Sequence, residues 1–145
     1  VRMNLFDRIR SMGLTIATLI DPSAIISKTA RIGEGSIVAP FCSINSLAEV
    51  GENSIINSHT IVGHDIKVGR HSVVASHVNI GGNSEIGDLT FIGMGSQIKE
   101  KVMIGSKVII GMGSIVFEDI PDGVIALGNP ARPIRRNEGG LVFSS

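Results

Sequence analysis

Residues 61–92 read IVGHDIKVGRHSVVASHVNIGGNSEIGDLTFI, and a β-branched aliphatic residue stands at every sixth position of this stretch, beginning at Val62. The same step of six, carried outward, meets Ile or Val at all fifteen positions from Ile32 to Val116. Glycine follows the aliphatic residue nine times in the fifteen, and a mostly small residue stands four places after it. Continued backward to Ile20, the pattern gives seventeen hexads without an insertion. An internal repeat therefore organises most of the chain.

A period of six does not match helical spacing, but it matches a short parallel strand followed by a corner. The small residue and the next aliphatic residue are two apart, so both side chains point to the same inward face. With three strands to a coil of eighteen residues, seventeen hexads make about 5.7 coils, a stack roughly 27 Å tall at the ~4.8 Å spacing of paired strands. The repeat therefore predicts an all-β fold, a parallel β-helix.

Composition limits the function classes. The 145 residues are 43% apolar, which suits one globular domain, and thirteen basic residues balance thirteen acidic ones. This balance gives no reason to expect nucleic acid or a membrane surface as a partner, and no apolar run is long enough to span a membrane. Cys42 is the single cysteine, which excludes an intrachain disulfide and a cysteine metal cluster. We expect a cytoplasmic protein.

The sequence divides into three segments. Residues 1–13 place Leu5, Ile9 and Met12 at helical spacing, which predicts a short helix that is either a cap or the remnant of a longer domain. Residues 14–121 hold the β-helix. Residues 122–145 break the period with glycine and proline, so we expect an exit loop and an irregular tail whose last part, RRNEGGLVFSS, is loosely ordered.

Three of the four histidines lie in residues 61–82; His64 occupies a corner place, and none of the four occupies an inward place. His64 stands two places after its aliphatic residue; His59, His71 and His77 stand three places after theirs. A solvated surface histidine is thus the plain interpretation for each of them. Cys42 differs, because it occupies the small inward place, where a thiol packs and stays inert.

Three motifs in order carry a resemblance to a known family. IDPSAIISKTARIGEGSIVAP (20–40), VGHDIKVG (62–69) and GNPAR (128–132) resemble the start of the helix, the His-Asp element and the exit of hexapeptide-repeat acetyltransferases that act on sialic acids and nucleotide-linked amino sugars. The resemblance covers about residues 14–134. It implies a left-handed β-helix, acetyl-CoA as co-substrate, no metal, and a homotrimer that holds cofactor and acceptor between neighbouring prisms. Longer relatives carry a nucleotide-binding subdomain before the prism, so this chain is either a fragment, or its acceptor is smaller or is bound by the β-helix alone.

The resemblance also implies roles for single residues. His64 would be the general base for direct acetyl transfer, and Asp65 would orient it. One coil above His64 stands Gly82, whose lack of a side chain would leave space for the pantetheine arm. The backbone of three residues would bond pantetheine amides: Gly82, Met94 and Met112. Asn57 would contact the acceptor. Three arginines after the exit, Arg132, Arg135 and Arg136, are candidates for the cofactor's phosphates, or form an ordinary basic tail. Val73 replaces a second histidine that close relatives carry near the acetyl group.

Other functions remain open on the same fold. In zinc-dependent γ-class carbonic anhydrases two histidine ligands are five apart, as His59 and His64 are, but the phase differs and the two-coil partners here would be Ser23 and Lys28. A hexapeptide acetyltransferase with a serine or small-sugar acceptor and a non-catalytic scaffold are further alternatives. The sequence does not decide the acceptor or choose between O- and N-acetylation.

Overall fold

The computed structural model describes residues 1–138. It contains one helix, α1 (Arg2–Ser11), then seventeen two-residue strands numbered β1 to β17 in chain order, and a final pair, β18 (Val124–Gly128) and β19 (Ala131–Arg136). The second residue of each short strand is the aliphatic residue of one predicted hexad, from Ile20 in β1 to Val116 in β17. The register read from the sequence is therefore the register of the structure.

The short strands stack into three parallel sheets, because each pairs with the strand eighteen residues along the chain, as Val73 pairs with Phe91. The first sheet holds β1 (Leu19–Ile20), β4 (Ile37–Val38), β7 (Ile55–Ile56), β10 (Val73–Val74), β13 (Phe91–Ile92) and β16 (Ile109–Ile110). The second holds β2 (Ile25–Ile26), β5 (Ser43–Ile44), β8 (Ile61–Val62), β11 (Asn79–Ile80), β14 (Gln97–Ile98) and β17 (Ile115–Val116). The third holds β3 (Arg31–Ile32), β6 (Glu49–Val50), β9 (Lys67–Val68), β12 (Glu85–Ile86) and β15 (Met103–Ile104). The predicted fold class, an all-β parallel β-helix with a short N-terminal helix, is confirmed.

The core lies inside the prism and consists of the hexad aliphatics together with the small residues. Ile56, Val62 and Val74 are fully buried, and so are the hydroxyl residues Ser54 and Ser72. These hydroxyls are satisfied along the stack, since Ser54 Oγ donates to the carbonyl of Gly69 at 2.8 Å and accepts from the Ser72 amide at 3.2 Å. A buried hydroxyl with both roles filled costs little, so small polar residues can line an apolar prism.

Each sheet is followed by a corner, and we name the corners by the sheet that precedes them. The first corner follows the first sheet, the second corner follows the second sheet, and the third corner follows the third sheet. From Gly35 to Gly113 the second turn residue of every corner takes a left-handed backbone conformation, including eleven residues that are not glycine. His59 and His77 at the first corner, Asp65 at the second and His71 at the third all occupy this place.

Helix α1 packs along the third corner. Its buried residue is Phe6, whose ring makes an edge contact with His71 at 5.6 Å between centroids, whereas Leu5 and Met12 are exposed. Arg10 at the end of α1 forms ion pairs with Glu34 (3.1 Å) and Glu52 (3.3 Å) on successive coils. The helix thus runs beside several coils, and Leu19 and Ile20 in the first coil remain exposed.

The C-terminal exit is more regular than the sequence indicated. The two-residue strands end at β17, close to the predicted break, but β18 then pairs in parallel with β16 and β19 returns antiparallel to β18. The expected irregular exit is therefore wrong for residues 124–136, where tertiary pairing outweighs the glycines and prolines. The loose order predicted for the last residues falls mostly on 139–145, outside the described part of the chain. Within residues 1–138, α1 is far too short to cross a bilayer.

Candidate functional site

The residues predicted to form one site lie on two different corners of the chain. His64, Asp65 and Gly82 stand on the second corner, in the turns after β8 and β11. Met94 and Met112 stand on the first corner, after β13 and β16, and that corner also carries Asn57 after β7. The whole second sheet separates the two corners. One chain by itself therefore does not bring the predicted base next to the predicted cofactor-binding positions.

His64 and Asp65 form a hydrogen-bonded pair at the surface. His64 Nδ1 lies 2.8 Å from Asp65 Oδ2, and the side chains are 58% and 44% exposed. The pair is held by the coils on either side, because the Asp65 amide donates to the Ser46 carbonyl and the Asn83 amide donates to the His64 carbonyl, both at 2.9 Å. A carboxylate on Nδ1 favours the tautomer that leaves Nε2 unprotonated, which is the form a general base requires.

The imidazole of His64 lies directly against the backbone of Gly82. A Cβ at Gly82 would stand 2.5 Å from Nε2 and 2.7 Å from Cε1 of His64, closer than real side-chain contacts. The space that the sequence assigned to the pantetheine arm is thus filled at this point by the imidazole itself. The missing side chain at Gly82 allows His64 to lie along the prism while Nε2 reaches the glycine backbone.

The first corner presents a row of backbone N–H groups that have no hydrogen-bond partner within residues 1–138. They belong to the first turn residue of four successive coils: Ser58, Ser76, Met94 and Met112. The Met94 and Met112 side chains are 51% and 77% exposed, so the row faces open space. Donors repeated at the ~4.8 Å strand spacing suit an extended ligand with amide carbonyls. The sequence named two of these positions by resemblance, and only the hydrogen-bond pattern adds the two serines.

On the upper three coils of the third corner, the equivalent N–H groups are bonded by side chains of the chain itself. The Arg70 amide donates to Asp88 Oδ1 (2.8 Å), the Asp88 amide to Ser106 Oγ (3.1 Å), and the Ser106 amide to Asp122 Oδ1 (2.7 Å). These side chains use up the donors that the first corner leaves open. From Arg70 to Ser106 the third corner therefore has no open N–H group at this turn place, whereas the amides of Glu34 and Glu52 below them have no partner within residues 1–138.

Asn57 and Arg132 are accessible, but only one of them has a side-chain partner. The Asn57 amide side chain makes no hydrogen bond within the described residues, although its backbone carbonyl lies 3.0 Å from Cys42 Sγ. Arg132 forms an ion pair with Glu118 at 3.1 Å and is 52% exposed. Glu118 stands on the second corner three coils above His64, so Arg132 reaches that corner with its charge partly balanced. Arg135 and Arg136 are exposed on β19.

The other histidines differ from His64. His71 is half-buried beneath Phe6 and bonds Asn53 Nδ2 through Nδ1 at 2.9 Å, so the plain expectation of a solvated surface residue is wrong for it. His59 and His77 are exposed and stack on each other with ring centroids 4.8 Å apart. Among residues 1–138 there is no group of three or more His, Cys, Asp or Glu side chains that could hold a metal ion.

Cys42 packs inside the prism, as its inward place predicts. It is 1% exposed, and its Sγ lies 3.0 Å from the Asn57 carbonyl. Burial raises the pKa of the Cys42 thiol, despite backbone hydrogen bonds that act in the opposite direction. A buried, protonated thiol is a poor nucleophile, which favours direct transfer over an acyl-enzyme.

Neither a protein-family model nor a curated protein matches the chain. Several solved structures are similar to the chain. The acetyltransferase domain of PglB from Neisseria gonorrhoeae is 30% identical, with a TM-score of 0.90 over 92% of this chain and 65% of that chain. The same domain in complex with acetyl coenzyme A has a TM-score of 0.88 at 29% identity, over 91% of this chain and 64% of that chain.

Two further proteins are similar over most of this chain. WeeI from Acinetobacter baumannii is 31% identical, with a TM-score of 0.87 over 92% of this chain and 65% of that one. A histidine-to-asparagine mutant of perosamine N-acetyltransferase from Caulobacter crescentus, in complex with CoA and GDP-perosamine, is 32% identical with a TM-score of 0.74, over 91% of this chain and 63% of that one. The resemblance to hexapeptide-repeat acetyltransferases is confirmed by these structures. The chain spans less than two thirds of the length of each of them.

Proposed function

We propose that the chain is an acetyl-CoA-dependent acetyltransferase that moves an acetyl group directly to an amine or hydroxyl of a sugar-type acceptor, with His64 as the general base. One observation carries the proposal: His64 is accessible, is bonded through Nδ1 to Asp65, and lies against Gly82, the turn residue one coil above it, which has no side chain. The similar structures, an acetyltransferase domain bound to acetyl coenzyme A and a perosamine N-acetyltransferase bound to CoA and GDP-perosamine, support the co-substrate and the acceptor class.

In the proposed step, His64 Nε2 takes the proton from the acceptor N–H or O–H while that atom attacks the thioester carbonyl carbon. Asp65 stabilises the imidazolium that forms. The tetrahedral intermediate then collapses, the carbon–sulfur bond breaks, and the CoA thiolate takes the proton from the His64 imidazolium, which returns the base to its neutral form. Because direct transfer needs no enzyme nucleophile, the buried Cys42 has no part in it.

The cofactor is proposed to run along the first corner. The unpartnered N–H groups of Met94 and Met112 would donate to pantetheine carbonyls, and Gly82 would offer its backbone at the reactive end, as the resemblance implies. Arg132 would meet phosphate only if it leaves Glu118, to which it is paired. Asn57 would contact the acceptor from the same corner. No metal is needed for this chemistry.

We further propose a homotrimer in which the second corner of one copy meets the first corner of the next. The separation of His64 from Met94 and Met112 by a whole sheet supports this arrangement, because a site on one chain would be incomplete. A C3 assembly brings two different surface patches of neighbouring copies together at each interface. Acetyl-CoA as co-substrate, and a single unpaired cysteine, agree with the expectation of a cytoplasmic protein.

The test is a thiol-release assay of the purified chain with acetyl-CoA and a panel of acceptors: amino sugars, sialic acids, nucleotide-linked amino sugars and serine. His64→Ala is expected to lower kcat by about 10²- to 10⁴-fold, the usual contribution of a general base. Asp65→Asn keeps the turn, since asparagine already occupies the same turn place at Asn53 and Asn83, and should lower kcat by about tenfold with little change in KM.

His71→Ala is the matched control, because it removes a histidine from the third corner. Its turnover per folded chain should equal that of the unaltered protein, and light scattering should show the same assembly for all three variants. Unchanged turnover in His64→Ala would overturn the base assignment. Absence of transfer to every acceptor, together with stoichiometric zinc in the purified protein, would favour the carbonic-anhydrase-like alternative.

A further inference from the structure

Aromatic rings stand one above another along the first corner, and the stack ends halfway along the prism. We call this stack the ladder and each of its turn places a rung. Phe41, His59 and His77 occupy the same left-handed turn place in three successive coils. Phe41 and His59 have ring centroids 5.1 Å apart at a 38° tilt, and His59 and His77 stack at 4.8 Å and 14°. All three rings are solvent-exposed, so the ladder is a surface feature rather than part of the core.

The next two rungs of the ladder have no side chain. The same turn place in the following coils holds Gly95 and Gly113, both left-handed at φ 73° and 67°. The backbone continues in register, since the Gly95 amide donates to the Ser76 carbonyl at 3.0 Å and the Gly113 amide donates to the Met94 carbonyl at 2.8 Å. A Cβ added at either glycine would meet no atom within 4 Å. The face of His77 that points away from His59 therefore looks onto an open position.

Glycine is not required there by the backbone. Eleven residues other than glycine adopt the same conformation elsewhere in this chain, including both histidines of the ladder. A side chain could therefore stand at position 95, and its absence leaves room for one more ring on His77. A ring at this position would continue the stack: its plane would be parallel to the His77 imidazole, and it would be displaced from that ring along the prism axis.

We propose that the open face of His77 binds a nucleobase, which takes the place of the missing rung above Gly95. The proposal rests on the proposed function, because coenzyme A and a nucleotide-linked acceptor each carry a base. A nucleobase combines a planar π-face with acceptor atoms on its edge. The N–H group of Ser76, the residue before His77, has no partner within residues 1–138, and the exposed Met94 thioether adds a polarisable contact to an aromatic ring.

The test measures binding by calorimetry with ligands that contain a base and one that does not. The probes are coenzyme A and ADP for adenine, GDP and UDP for an acceptor nucleotide, and pantetheine as the base-free ligand. His77→Ala should weaken the base-containing ligand by about tenfold, whereas His77→Phe, which keeps a flat ring, should stay within about twofold. Pantetheine should bind the unaltered protein and the two His77 variants equally.

A second variant fills the position instead of removing the platform. Gly95→His would extend the ladder by one rung and compete with the base, so the same tenfold loss is expected. The matched control is Gly123→His, a left-handed glycine at φ 67° with open space that lies away from the ladder. A loss of affinity for ADP assigns the open face of His77 to the adenine of the cofactor, and a loss of affinity for GDP or UDP assigns it to the base of the acceptor.

Equal affinities of the unaltered protein, His77→Ala and Gly95→His for every base-containing ligand would overturn the inference while acetyl transfer persists. Failure of the proposed function looks different, because then the unaltered protein neither binds coenzyme A nor releases thiol with any acceptor. The folded state of each variant is checked by its thermal transition, and the exposed position of the ladder makes a large shift unexpected.

Discussion

The second and third corners of the prism are built on the same turn, but their turn N–H groups differ in whether side chains of the chain bond them. At the third corner Asp88, Ser106 and Asp122 close the outward N–H groups of the coil below, and α1 covers His71. At the second corner the corresponding amides of His64 and Gly82 have no partner within residues 1–138. The same repeat thus makes one surface whose upper turn amides are bonded by its own side chains and another whose turn amides are open to solvent or to a ligand.

The difference shows that function on this scaffold is set by what the turn residues leave unpaired. The backbone conformation is alike at both corners, with Asp65 and His71 both at positive φ, 56° and 59°. A histidine at a corner is therefore not a signal by itself. Its meaning depends on the residue eighteen positions away, which is Gly82 above His64 and a bonded Asn53 below His71.

The largest expected effect comes from mixing two inactive chains. His64→Ala removes the base from the second corner, and Gly113→Trp fills the first corner beside Met112 at a position where a side chain meets no atom. Each variant alone should be inactive. Co-refolded in equal amounts, they should regain about a quarter of full thiol release, since one interface in four joins two intact corners.

This mixing experiment also tests where the site lies. If the two corners of a single chain formed the site, the mixture would stay as inactive as its components. Chains of each variant that were folded separately and never exchanged are the control, because no mixed interface forms in them. Full activity of Gly113→Trp alone would remove the first corner from the site.

A smaller effect is expected from a single methyl group at the second corner. Gly82→Ala would place a Cβ 2.5 Å from His64 Nε2, so the imidazole must swing away from the prism. A displaced base of this kind costs about 100-fold in kcat. The thermal transition should change little, because the His64 ring is exposed and can move into solvent. Equal activity of Gly82→Ala and the unaltered protein would contradict the role given to Gly82.

The smallest effect on catalysis is expected at the third corner. Phe6→Ala removes the one buried side chain of α1, 5% exposed, and should weaken the docking of the helix by about 3 kcal/mol. Amide hydrogen exchange in α1 should speed up while kcat per folded chain stays unchanged. Leu5→Ala on the same helix, at a 52% exposed residue, should leave exchange as it is. A fall in kcat for Phe6→Ala would mean that the closed corner takes part in the reaction.

The repeat made most of the fold predictable, because a β-branched residue every six positions leaves one register for the strands. The burial of Cys42 and of the hydroxyl residues followed from the same inward place. The C-terminal hairpin was not predictable, since β18 exists by pairing with β16 and its own residues read as a loop. The packing of α1 by Phe6 was missed because Leu5, Ile9 and Met12 fit the helical period equally well.

The candidate site was predictable in its residues but not in its layout. The His-Asp pair came from its motif, and its hydrogen bond is present in the structure. The contact between the His64 ring and Gly82 was not predictable, because it depends on the side-chain rotamer of His64, which the sequence does not specify. The separation of His64 from Met94 follows from counting hexads. Which corners of neighbouring copies meet does not, because that depends on how whole prisms pack against each other.

The constant rise of the coils also makes the prism a length gauge. His64 and Met112 stand at levels of the stack set only by the number of hexads between them, without insertion or bulge. Adding or deleting one eighteen-residue coil between them would change their separation along the prism axis by ~4.8 Å and alter no turn. A ligand that spans from His64 to Met112 would therefore have to match a length that changes only in steps of one coil.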